Sequence, residues 1–148
     1  MGTSYTEDGF TVSQVGTQSS SLAVWGNQST FYPGSTALFN NASGGVTRLT
    51  QVGGGAFTLS SIDLVDLFNE PRSTPVTFTG LKADTTTITQ NFTTSEIGLT
   101  TFNFTNFTNL VSVDWDQVFP FHQFDNINVS ASNSKFKNLG GVGCPIRG

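Results

Sequence analysis

The apolar residues of this chain recur at every second position in short bursts, and each burst ends in Gly, Asn, Asp, Ser or Pro. Alternation with a period of two is the pattern of a half-buried strand, and bursts about every 10 residues give the spacing of a sandwich or barrel. No window carries apolar residues at i, i+3, i+4 and i+7 through three turns, so helices are not expected. The spacing predicts strands at about 6–15, 22–25, 37–40, 46–52, 56–67, 76–81, 85–92, 100–104, 110–116 and 121–129. The inward sets are Phe10 and Val12, Phe57 and Leu59, Val76 and Phe78, Ile88 and Phe92, Phe102 and Phe104, and Val111 and Val113. Thr and Ser fill the other face, as in "TTTIT", and 14 Phe residues supply the core. The expectation is an all-β fold: a two-sheet antiparallel β-sandwich.

Two segments lose step. In "AFTLSSIDLVDL", Phe57 and Leu59 keep one parity, and Ile62 and Leu64 resume on the other across Ser60 and Ser61. In "PFHQFDNINVS", Phe124 and Ile127 are three apart, with Asp125 and Asn126 between them. An extra residue in a strand is a β-bulge, which turns the strand or re-aims a side chain. A bulge is expected at both places.

At 148 residues the chain suits one domain. The division read here is a sandwich over 1–131 and a flexible Gly-rich tail over 132–148. Six basic residues against ten acids give a net charge of −4 with no basic cluster, which argues against a nucleic-acid partner. No apolar run approaches the roughly 18 residues of a membrane span. The start "MGTSYTEDGF" reads as an expression start on a trimmed mature domain, so secretion is inferred from composition: few charges, much Thr, Ser, Asn and Gly. Cys144 lies in "GGVGCPIRG" and can form no internal disulfide. Asn-x-Ser/Thr sequons fall at Asn27, Asn41, Asn91, Asn103, Asn106 and Asn128.

Catalytic groups are scarce. His122 is the only histidine and Cys144 the only cysteine, which excludes multi-histidine and thiolate metal sites. As a lone histidine, His122 reads as a rim hydrogen-bonder rather than a base. "VSVDWDQ" puts Asp114 and Asp116 on one strand face and Trp115 on the other. Residues i and i+2 of a strand lie about 6.5 to 7 Å apart, a separation that glycoside hydrolysis can use. Short acids on an exposed strand face are the plainer reading. Calcium suits the composition better, because it takes carboxylates, amides and backbone carbonyls. Its candidate ligands are Glu7 with Asp8 at the first strand and Asp125 at the bulge of the last. The alternative is an Asp that bonds its own backbone in a turn-like bulge.

"YTEDGFTV", "ALFNNASGGVTRLTQVGGGAFTLSSIDLVDL" and "HQFDNINV" resemble the secreted jelly-roll domains of bacterial surface and exported proteins, including many with a PEP-CTERM sorting tail. They also resemble the calcium-bearing β-sandwich carbohydrate-binding modules attached to polysaccharide-degrading enzymes. The likeness covers residues 5 to about 130. It implies a jelly roll in which a structural calcium ties the first strand to the last, at Glu7 and Asp125. The chain lacks a Pro-Glu-Pro motif, a membrane helix and a basic end, so a module of a larger protein is the better picture.

In such modules aromatic rings stack on sugar faces. The matching rings are Trp25 and Tyr32, which flank "GNQSTFYPGS", and Trp115, Phe119, Phe121 and His122 around "DWDQVFPFH", a loop stiffened by Pro120. For Trp25 and Trp115, packing in the core or at its edge is an equal reading. Tyr32 and Phe119, among Pro and Gly, are the ones expected at the surface. The expected activity is non-catalytic binding of a polysaccharide. The rivals are a cell-surface or matrix adhesion domain using the Thr- and Asn-rich face, and a glycosidase or lyase using Asp114 and Asp116.

Overall fold

The computed structural model describes residues 4–15, 22–35, 37–41, 44–117, 121–131 and 137–139. The expected sites Phe119, Pro120 and Cys144 lie outside them. Twelve strands form: β1 (Ser4–Glu7), β2 (Phe10–Val15), β3 (Leu22–Val24), β4 (Leu38–Asn40), β5 (Val46–Gln51) and β6 (Phe57–Asp66), then β7 (Thr74–Lys82), β8 (Thr87–Thr94), β9 (Thr100–Asn103), β10 (Leu110–Asp116), β11 (His122–Ala131) and β12 (Lys137–Leu139). No helix occurs among the described residues. The strands pair antiparallel in one continuous sheet that curls almost into a barrel.

The sheet has two runs. One is β1-β2-β5-β10-β7-β8 and the other is β9-β6-β11-β4-β3, with β12 also on β11. They meet where β10 pairs β6 through Leu110 and Phe57. At the far side the edges of β8 and β9 face each other without a ladder. There the Gln90 side chain takes the place of a peptide group, donating to the Asn103 carbonyl at 3.4 Å and accepting from the Thr105 N–H at 3.0 Å. Phe92 stacks on Phe102 beneath it, with ring centres 5.0 Å apart.

The expected alternation holds through most strands. In β7, Val76 and Phe78 are buried and Thr77 and Thr79 exposed. Gly80 continues the inward face because nothing larger fits: a Cβ there would stand 2.7 Å from Leu110 Cδ2. Phe78 lies at the middle of the core, its ring 5.0 Å from Phe104 and 5.1 Å from Trp115.

Both expected bulges are present, and they face each other. Asp125 pairs Asp63 and Asn128 pairs Ser61, so Asn126 and Ile127 oppose Ile62 alone. One step on, Val129 pairs Leu59, which leaves Ser60 as the extra residue of β6. The two slips cancel, and both strands bring Ile62, Leu64, Phe124, Ile127 and Val129 inward. Asn126 carries the bend at φ 50°, a left-handed conformation that Asn adopts more readily than most residues.

Three expectations are corrected. The first expected strand is a hairpin: Asp8 and Gly9 have φ of 51° and 84°, the two positive angles of a tight turn between twisted strands. Val111 is not in the core, because β10 shifts register against β7 between Leu110 and Ser112 and Leu110 takes the inward place. The expected tail is not all tail, since Lys137–Leu139 forms β12 on Ile127, Asn128 and Val129 of β11.

Candidate functional site

The loop from Trp25 to Ser35 runs along the outer side of the barrel over β4, β6 and β11. The outward residues Gln123 and Asp125 of β11 beneath it are polar and buried, and both bond to the loop. Gln123 donates from Nε2 to the carbonyls of Phe31 at 3.0 Å and Leu67 at 2.9 Å. Asp125 accepts from Ser35 Oγ at 2.7 Å and from the backbone N–H of Asn126 at 2.8 Å. From the loop side, the Trp25 indole N–H donates to the Leu67 carbonyl at 2.8 Å. Asn69 holds the rim: its N–H closes a turn on the Asp66 carbonyl, its Oδ1 accepts from the Gly98 N–H at 2.7 Å, and its Nδ2 donates to the Tyr32 carbonyl at 3.4 Å.

These bonds place four rings together. Trp25 lies 4.8 Å from Phe31 and 5.1 Å from Phe39, and Phe31 lies 5.0 Å from Phe68. Phe39 is buried under the group, whereas Trp25, Phe31, Tyr32 and Phe68 remain half exposed. The surface so formed is aromatic, edged by the exposed Asn27 and Gln28 and by the amide of Asn69. Rings held this way have already lost their rotamer freedom and present apolar faces beside amides, an arrangement suited to the C–H faces and hydroxyls of a sugar.

The residues expected from sequence separate sharply. Trp25 and Tyr32 both lie on this loop, Trp25 with its ring in the cluster and Tyr32 tied through its backbone N–H and carbonyl. Trp115 is 1% exposed, with its ring between Phe78 and Phe124, so it is a core residue and offers no face to a ligand. His122, also 1% exposed, is not a rim residue; burial pushes its pKa down to about 3, leaving the imidazole neutral. Phe121 is half buried at the start of β11. Phe31, Phe68, Asn69 and Gln123 were missed. The signals were there in "STFYPGS" and "DLFNEPR", where a Phe beside turn formers has no strand parity to take it into the core.

The carboxylates do not converge as expected. β2, β5, β10 and β6 lie between β1 and β11 in the sheet. Glu7 is 7% exposed and accepts from the Tyr5 hydroxyl on the inward face of β1, whereas Asp125 points outward to Ser35. Among the described residues no group of three or more His, Cys, Asp or Glu side chains is placed to hold a metal ion. Asp114 and Asp116 do share the outer face of β10, but Asp114 is held by a two-pronged pair with Arg48, at 2.8 and 2.9 Å. Asp63, the cross-strand partner of Asp125, accepts from Thr101 Oγ1 at 2.5 Å and from Asn126 Nδ2 at 2.8 Å.

Comparison with protein-family models, with curated proteins and with solved structures finds no match. Among the described residues no helix is long and apolar enough to cross a membrane.

Proposed function

We propose that this chain is a secreted, non-catalytic binding domain of the jelly-roll sandwich type, which recognises a polysaccharide at the ring cluster of Trp25, Phe31 and Phe68 together with the half-buried Tyr32 of the same loop. The observation that carries this reading is the pinning of half-exposed rings by buried polar side chains of β11. A loop retained only for packing would bury its rings, as Phe39 of β4 is buried beneath Trp25. The engagement of Asp114 by Arg48 and the burial of His122 favour binding over catalysis. Affinity electrophoresis against a panel of neutral and acidic plant and algal polysaccharides tests it. At least one glycan is expected to retard the native protein, and Tyr32→Ala and Phe68→Ala to abolish the retardation. No retardation by any glycan, or retardation that survives both substitutions, overturns the reading.

A cell-surface or matrix role is the second reading, and it has its own observation. The outer face of β7 and β8 is a ladder of exposed Thr77, Thr79, Thr87, Thr89 and Thr93 with Asn91 among them, paired Thr79 to Thr89 and Thr77 to Asn91. Such a face is uncharged and regular, which suits lateral packing against another surface. Concentration-dependent self-association lost in Thr79→Lys would favour it over glycan recognition.

A further inference from the structure

Four buried side-chain atoms without a hydrogen-bond partner lie at one end of the barrel interior: Asn40 Oδ1, Trp115 Nε1, Gln117 Oε1 and His122 Nε2. The pairing brings them together. Asn40 donates from Nδ2 to Thr47 Oγ1 at 3.3 Å, and Thr47 is the cross-strand partner of Trp115. Gln117 follows Trp115 by two residues on the same inward face and donates from Nε2 to the His122 carbonyl at 3.2 Å. The pairing of Leu38 with Phe124 carries the inward Asn40 opposite His122. Phe124 packs against both, its ring 5.1 Å from Trp115 and 6.3 Å from His122.

A buried polar atom left unpaired is costly, and native proteins hold few of them. Four in one patch therefore point to a partner they share. With the imidazole proton on Nε2, the set consists of two donors, Trp115 and His122, and two acceptors, Asn40 and Gln117. That is the complement of one water molecule, which has two lone pairs and two O–H groups. The four groups themselves carry no charge, and the buried carboxylate of Asp66, across from His122, is already engaged by Thr74 Oγ1 and the Phe68 N–H. We propose that a single tightly held water bridges Trp115, His122, Asn40 and Gln117 and fixes the polar end of the barrel.

A high-resolution crystal structure tests this directly. One ordered oxygen is expected about 2.7 to 3.2 Å from at least three of the four atoms. In solution, the Trp115 indole N–H is expected to show a cross-relaxation peak to a long-lived water, and nitrogen spectra to show the His122 proton on Nε2. Gln117→Met, close in shape but without the acceptor, is expected to weaken that peak while the rest of the spectrum stays in place. Absence of the oxygen, direct bonding among the four side chains, a proton on Nδ1, or an unchanged water peak in Gln117→Met would each overturn the proposal. The wild-type measurements stand even if the variant fails to fold.

Discussion

Two groups of aromatic rings lie on opposite sides of the same strand, and they are held by different forces. Inside the barrel, Phe78, Phe92, Phe104, Phe107, Trp115 and Phe124 meet edge to face or tilted at 4.7 to 5.8 Å, mostly enclosed by strands. Outside, the rings of Trp25, Phe31 and Phe68 lie 4.8 to 6.5 Å apart and rest on hydrogen bonds donated by Gln123, by the Trp25 indole and by Ser35 to Asp125. The inner set is stabilised by removal from water, the outer set by polar groups that would otherwise be buried unpaired. An apolar core tolerates little change in volume, whereas a pinned surface group fails when a pin is removed. Substitutions on the two sides should therefore differ in kind as well as in size.

The largest effect is expected inside. Trp115→Ala removes the ring between Phe78 and Phe124 and should cost about 3 to 5 kcal/mol, read as a lower denaturant midpoint. Gly80→Ala tests the same core by overfilling it: the added methyl group meets Leu110, Ile88 and Phe107, and a cost of about 1 to 3 kcal/mol is expected. If Gly80→Ala were neutral, the close packing around Phe78 would not hold.

On the outside, Gln123→Leu leaves the carbonyls of Phe31 and Leu67 without that donor and should cost about 1 to 3 kcal/mol. Unlike the core variants, it should also loosen the 25–35 loop selectively, seen as faster amide exchange at Phe31 while β7 and β10 keep their protection. Uniform loosening of both regions would erase the distinction between the two ring groups.

The pH dependence sharpens the comparison from the inner side. His122 is buried, and its pKa falls from the usual 6.5 to about 3 because burial penalises the imidazolium. The unfolded chain thus binds a proton that the folded chain refuses, so stability is full above about pH 6.5 and declines as pH falls toward 3. Its cross-strand partner Asp66 accepts from Thr74 and from the Phe68 N–H and lies 4.0 Å from Arg72. Between pH 6.5 and 5, before carboxylates titrate, the slope should approach about 1.4 kcal/mol per pH unit. His122→Gln should flatten that slope; an unchanged slope would place its origin elsewhere.

The inner group was more legible in sequence than the outer one, for a physical reason. Period-two alternation reports which side chains a strand sends inward, so Phe10, Phe57, Val76 and Phe78 could be read directly, and the parity slips at Ser60 and Asn126 revealed both bulges. Alternation is silent about what covers the outward face. From sequence, Asp125 reads as a metal ligand or a bulge residue bonding its own backbone and Gln123 does not stand out, because the loop that crosses them is set by contacts about 90 residues apart. Trp115 misled for the converse reason: its neighbours Asp114 and Asp116 advertise an exposed strand, although the strand's other face lies in the core against Phe78. His122 misled likewise, since a polar residue on an inward position has no signature of its own.

Tyr32→Ala should have the smallest effect on stability and the most selective effect on binding. The backbone of Tyr32 is tied down independently of its ring, by its N–H to the Ser29 carbonyl and by its carbonyl to Asn69 Nδ2. Removing the half-exposed ring leaves those bonds in place, so a change within about 0.5 kcal/mol is expected in the denaturant midpoint, as for surface positions generally. Glycan retardation should nevertheless disappear, because an aromatic platform loses much of its contact with a sugar when one ring is gone. Trp25→Ala cannot make this separation, since the Trp25 indole also holds Leu67. A Tyr32→Ala protein that is unfolded would show that the outer rings, like the inner ones, are held by burial.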